Sequence, residues 1–178
     1  STGVLPASGA AGNIDVTATE PVTITGASPT DQSGLFSTTA GTGPGGSITL
    51  RAAQIQLADG GTISASSTGG PSATAGSIDI TFGEEFVLEH ASISTDSLQA
   101  DGGNITIVST GSLLHLIDSQ ITTSVRSGVG GGGNITLGRE SIVVDVALMG
   151  DAGRLLLRAG ARPGERGVVT GALGAAAQ

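Results

Sequence analysis

The side chains best suited to proton transfer are few: His90, His115 and the acidic cluster Glu84, Glu85 and Glu89. Aligning the chain's repeats sets His90 one repeat from Asp118. A carboxylate beside an imidazole can tune a proton-transfer group. Attack on a polysaccharide needs acids, or Arg and Lys, converging on one strand face, with aromatics to stack sugar rings. No third partner and no aromatic platform is visible beside His90, and Ser92 is one of many serines. A solvated His–Asp contact is the simpler account, so no residue is assigned as catalytic. His115 stands between Leu114 and Leu116, and alternation points it outward.

Three further patterns imitate sites. Gly41-Thr-Gly43-Pro-Gly-Gly46 and Gly128-Val-Gly130-Gly-Gly-Gly133 match the dinucleotide fingerprint by letter. Phosphate binding needs a helix N-terminus after the loop, and each of these leads into a strand pattern, so no cofactor is expected. Asn104-Ile-Thr106 and Asn134-Ile-Thr136 match the glycosylation triplet, which makes Asn104 and Asn134 candidate acceptors. The preferred structural account is that Asn and Ser recur because their side chains hydrogen-bond at a corner, as ladders along a stack. Asp59-Gly-Gly and Asp101-Gly-Gly are isolated turns rather than a calcium-binding nonapeptide array, and no metal site is assigned. Thr49, Thr106 and Thr136 share one outward register, but Asp15 and Asp79 interrupt it, which disfavours a uniform ice-matching face.

The elements that carry these residues follow from one recurring phrase. It reads Gly12-Asn-Ile-Asp-Val16, Gly46-Ser-Ile-Thr-Leu50, Gly76-Ser-Ile-Asp-Ile80, Gly103-Asn-Ile-Thr-Ile107 and Gly133-Asn-Ile-Thr-Leu137, at spacings of 34, 30, 27 and 30 residues. A strand-only repeat of that length implies a solenoid whose units bury their apolar faces against one another. Within a repeat, Ile105 and Ile107 alternate with Asn104 and Thr106; a second aliphatic pair follows at Leu114/Leu116, and a third strand at Ile121. The second pairs are Val22/Ile24, Ile55/Leu57, Phe86/Leu88, Leu114/Leu116 and Ile142/Val144; the third-strand anchors are Leu35, Ile63, Ile93 and Ile121. Stacked in parallel about 4.8 Å apart, five coils make a rod about 24 Å long with bare sheet edges at its ends.

Composition supports a narrow core. The chain of 178 residues is 38 % hydrophobic, with 31 Gly, three Phe and neither Trp nor Tyr. With no Cys there is neither a disulfide framework nor a thiolate metal site. Formal net charge is −8 and every basic residue is Arg. Residues 1–138 hold eleven acids against Arg51 and Arg126, a net of −9, whereas residues 139–178 hold four acids against five Arg, a net of +1. An acidic body without a basic stripe argues against nucleic acid and against anionic lipid. No apolar run approaches the roughly 18 residues of a membrane span, so no membrane insertion is expected. The N-terminus lacks the charged and apolar regions of a signal peptide, and the chain reads as a mature piece of something longer.

Gly102-Gly-Asn-Ile-Thr-Ile107, Asp118-Ser-Gln-Ile-Thr-Thr-Ser124 and Gly131-Gly-Gly-Asn-Ile-Thr-Leu137 resemble the repeats of filamentous-haemagglutinin-type exoproteins, the secreted partners of bacterial two-partner secretion systems. The resemblance covers roughly residues 12 to 145 and rests on repeat grammar. It implies a right-handed parallel β-helix, passage through an outer-membrane transporter and an adhesive role at the bacterial surface. Right-handedness also agrees with the general crossover preference.

The fold expected is thus all-β: a right-handed parallel β-helix of about five to six coils of roughly 27–34 residues, with three short strands each. Residues 1–149 form the repeat region; residues 150–178 form an irregular last rung around Leu155 and Leu157, a cap and a tail. The C-terminal Arg cluster is read as that cap or as plain surface, ahead of a site for an anionic partner. The function expected is a rigid, non-catalytic rod, secreted or at the cell surface, presenting loops to a host-cell, matrix or other surface ligand. A polysaccharide lyase or hydrolase is the alternative, and a filament subunit joining copies end to end is the third.

Overall fold

A computed structural model of the chain describes residues 8–26, 32–110, 113–127, 130–138 and 143–147. Expectations for residues 148–178, including the Leu155/Leu157 rung and the Arg cluster, fall outside the described residues. All regular structure among the described residues is β. The first coil contains β1 (Ile14–Thr17), β2 (Val22–Thr25) and β3 (Gly34–Thr39); the second, β4 (Ile48–Ala58) and β5 (Thr62–Ser67). The third contains β6 (Ile78–Glu89) and β7 (Ser92–Ser97); the fourth, β8 (Ile105–Ser109), β9 (Leu113–Ile117) and β10 (Gln120–Val125). Strands β11 (Ile135–Gly138) and β12 (Val143–Ala147) open a fifth.

Every pairing is parallel and joins like positions of successive coils. Ile14, Ile48, Ile78, Ile105 and Ile135 stand in one register, and Val16, Leu50, Ile80, Ile107 and Leu137 in the next. The third strands form their own sheet in the order β10-β7-β5-β3, with Leu35, Ile63, Ile93 and Ile121 aligned. The chain is a parallel β-solenoid, and three independent ladders share its period. The described coils make about four turns rather than five to six: of the fifth, the described residues hold β11 and β12.

Two further differences have physical causes. In coils two and three the first and second strands run together as β4 and β6. The stretch from Leu50 to its next-ladder anchor Ile55 is the shortest in the stack, leaving no room for a corner, and β6 lacks the strand-breaking proline that Pro21 supplies in coil one. β6 takes up its extra residue as a bulge opposite Ala52–Gln54. In coil five the second-strand register aligns Val144 with Leu114 and Val146 with Leu116, so the pair is Val144/Val146 rather than Ile142/Val144. A slip of two residues preserves the facing of the strand, which is why alternation alone does not detect it.

The core is a column of Ile, Leu, Val and two Phe side chains. Phe82 and Phe86 are 2 % and 0 % exposed and meet edge to face, ring centroids 5.6 Å apart. Phe82 faces small residues on both neighbouring rungs, Ala52 and Ser109, so one large side chain fills the space that two small ones leave.

The phrase's glycines are required by rung-to-rung contact. A Cβ at Gly46, Gly76, Gly103 or Gly133 would collide with the carbonyl of the glycine one coil earlier. Two of those carbonyls accept a hydroxyl from inside, Gly12 O from Ser37 Oγ at 2.7 Å and Gly103 O from Thr95 Oγ1 at 2.7 Å, and Gly133 O accepts likewise from Thr123 Oγ1 at 2.9 Å. Thus the third strands turn hydroxyls inward where alternation would suggest aliphatics. Among the described residues no buried side-chain nitrogen or oxygen lacks a partner.

Candidate functional site

The stacking brings most sequence-selected residues into pairs between neighbouring rungs. His90 ends the second strand of coil three, and Asp118 holds the same corner in coil four. Their side chains approach to 3.5 Å (Nε2 to Oδ2), and both are solvent-exposed. Asp59, His90 and Asp118 all take the left-handed conformation, with φ of 51°, 49° and 45°, below the glycine Gly26 at 94° in coil one. One corner of the solenoid therefore repeats a turn that L-residues adopt at a cost of about 1 kcal/mol each. His115 points outward, as alternation requires, and meets Glu85 of the preceding coil at 3.6 Å. Glu84 accepts a hydrogen bond from Gln54 Nε2 at 2.6 Å, so the acidic cluster is divided between two partners rather than aimed at one point.

The phrase's polar position forms the corner ladder expected of it. Asn13 Oδ1 accepts from Ser47 N–H at 2.9 Å, Ser47 and Ser77 hydroxyls meet at 3.1 Å, and Asn104 Oδ1 accepts from Asn134 N–H at 2.9 Å. Asn104 and Asn134 remain exposed at this corner, each with its amide nitrogen away from these bonds. The loop Gly41–Gly46 joins strand to strand, and Gly45 N–H is spent on Thr74 O at 2.8 Å, an arrangement unlike a phosphate cradle. Residues 128 and 129 of the second glycine loop lie outside the described residues. Asp101 Oδ1 accepts Gly131 N–H at 2.8 Å, a corner bond of the same kind as the Asn ladder. Among the described residues no three His, Asp or Glu side chains are grouped to hold a metal ion. On the first-strand face, Asp15 lies 4.0 Å from Arg51, a charged break in the threonine row.

A site that sequence reasoning missed lies on the outward face of β3, β5 and β7. A cleft of about 360 Å³ is lined there by Phe36, Ser64, Ser66, Ser94, Asp96 and Arg126, among others. Its floor is a lattice of hydroxyls joined laterally across the rungs, Thr62 with Ser92 at 3.2 Å and Ser64 with Ser94 at 3.4 Å, and Ser66 at its side meets Thr38 at 3.2 Å. At one rim Asp96 accepts from Ser124 Oγ at 2.6 Å and faces Arg126 at 3.9 Å. At the other, Phe36 is 43 % exposed. A second cleft of about 500 Å³ adjoins it at the His90 corner, and the two share Gln32, Thr62 and Ser92. An exposed aromatic ring, Phe36, thus lines the first cleft, while the cleft at His90 has no aromatic in its lining. The available signal was alternation about Leu35, Ile63 and Ile93, which marks Phe36, Ser64 and Ser94 as one outward row.

Protein-family models, curated proteins and solved structures were compared with the chain, and none matches it. The class it belongs to by its own architecture is the parallel β-solenoid.

Proposed function

We propose that the chain is a structural and adhesive segment of a large bacterial surface protein of the filamentous-haemagglutinin type. It acts as a stiff rod that holds a binding face outward and performs no catalysis. Export through an outer-membrane transporter and display at the cell surface belong to the same proposal. The observation carrying it is that polar side chains with catalytic potential bond from rung to rung. His90 with Asp118, His115 with Glu85 and Gln54 with Glu84 tie coils together instead of converging on a common point. Such bonds stiffen a stack, whereas hydrolysis of a glycosidic bond needs two carboxyl groups flanking it. Each cleft holds a single carboxylate, Asp96 in one and Asp118 in the other.

One observation favours a polysaccharide-acting enzyme as the second reading: His90 and Asp118 open into the larger cleft beside Ser92 and Ser119. Incubation with a polysaccharide panel, scored for released reducing or unsaturated ends, separates the two. The rod predicts no release. Turnover abolished by His90→Ala or Glu85→Ala would overturn it. Electron microscopy of the purified chain distinguishes single rods from end-to-end filaments, the third reading.

A further inference from the structure

We infer that the double cleft on the third-strand sheet is a binding site for a neutral oligosaccharide, with Phe36 as its stacking platform. This rests on the rod reading and adds the ligand class. Phe36 projects outward from β3 and leans back over Gly34, where an added Cβ would stand 2.9 Å from its Cζ. The tip of the ring thus lies against Gly34, while the residue stays 43 % exposed. Every other position in its row is a hydroxyl: Ser64, Ser94 and Thr122. A large flat apolar group beside a polar floor suits a ligand with both an apolar face and a polar rim, as a pyranose ring has.

The floor fits the same ligand. A hydroxyl offers one donor and two acceptor positions. Each lateral bond between Thr62 and Ser92, or Ser64 and Ser94, occupies only part of that capacity. Thr62 donates to Gly60 O and accepts from Ser92, and Ser94 donates to Ser64. The floor thus offers acceptor positions along its length and the Ser64 proton as a donor, a match for sugar hydroxyls that give and accept. Asp96, Gln32 and Asp118 add directional partners along the length of the two clefts.

Charge selects the neutral member of the class. The chain carries −8, so an anionic glycan meets net repulsion. Arg126, the one arginine lining the clefts, already faces Asp96 at 3.9 Å. An extended peptide is a poorer fit to the floor, because β5 and β7 are paired on both edges; strand addition would use the outer edge of β3 rather than the cleft.

The test uses the full chain and a panel of neutral gluco-, manno-, galacto- and xylo-oligosaccharides, with oligogalacturonate and heparin oligomers as acidic comparators. Calorimetry gives affinity, and amide NMR shifts give location. At least one neutral oligomer should bind, shifting Ser64 and Ser94 amides. Phe36→Leu, which still covers Gly34, should weaken binding about tenfold, as truncating an interfacial aromatic does. Phe36→Tyr should retain it, and Ser94→Leu, an outward change at a half-buried position that fills the floor, should abolish it. The inference fails if no neutral oligomer binds at millimolar concentration, if only acidic oligomers bind, or if affinity survives Phe36→Leu and Ser94→Leu. Absence of both binding and turnover sinks this inference and leaves the rod standing. Turnover of a sugar whose binding depends on Phe36 upholds the ligand class and overturns the rod.

Discussion

Gly103 rests on the carbonyl of Gly76 so closely that a methyl group at Gly103 would collide with that oxygen. Neither residue needs a left-handed backbone; glycine is required there by the spacing between rungs. Gly103→Ala must therefore part the coils or distort a strand, an overpacking cost of about 1–3 kcal/mol or more. Gly70, in an outer loop, has nothing within 4 Å of an added Cβ. Gly70→Ala should change stability by less than about 0.5 kcal/mol. Urea denaturation of the two variants measures the contrast, and equal effects would show that rung spacing is not what selects glycine.

Thr95 supports the carbonyl that Gly103 exposes to the core. It is fully buried, and its hydroxyl donates to Gly103 O at 2.7 Å. Thr95→Val keeps the shape and removes the donor, leaving a buried carbonyl short of a partner, for about 1–3 kcal/mol. Thr123→Val breaks the matching bond to Gly133 O, but that site is only partly buried and water can replace the hydroxyl. It should cost less. Chemical denaturation of both variants checks the order.

Phe86→Ala should be among the most damaging single changes. Phe86 is completely buried between Ile55 and Leu114 and packs against the edge of Phe82. Its neighbours are held in register by two sheets and cannot collapse into the space, so the expected cost is about 3–5 kcal/mol. Phe86→Leu, which restores most of the volume, should recover much of it. Thermal melts of the pair test whether volume or the ring contact dominates.

How much of this was legible in sequence can be judged residue by residue. The Ile and Leu ladders were readable because period-two alternation and a repeat of near-constant length constrain each other. Ile142/Val144 could not be told from Val144/Val146, since aliphatics crowd residues 142–146 and both choices keep the same facing. Ser37 and Thr95 were hidden by their polarity: their inward role depends on glycine carbonyls 25 and 8 residues away that only the folded coil brings beside them. The cleft at Phe36 was hardest to read, because the concavity is made by four rungs together and no single repeat encodes it. The His90–Asp118 pair was legible, since it needed only the period.

That pair also allows backbone and side-chain roles to be separated. His90 sits at φ 49°, where a β-branched residue is strained and glycine is at ease. Its exposed contact with Asp118 is worth at most about 1 kcal/mol. His90→Gly relieves a comparable strain while losing the contact, so stability should change little. His90→Val loses the contact and adds strain, and should cost about 1–2 kcal/mol more than the glycine variant. If the corner conformation governs this position, Asp59→Gly and Asp118→Gly will follow the same pattern one coil to either side. If instead His90→Gly destabilises as much as His90→Val, the imidazole–carboxylate contact is the stronger term, and urea titration of the four variants decides between them.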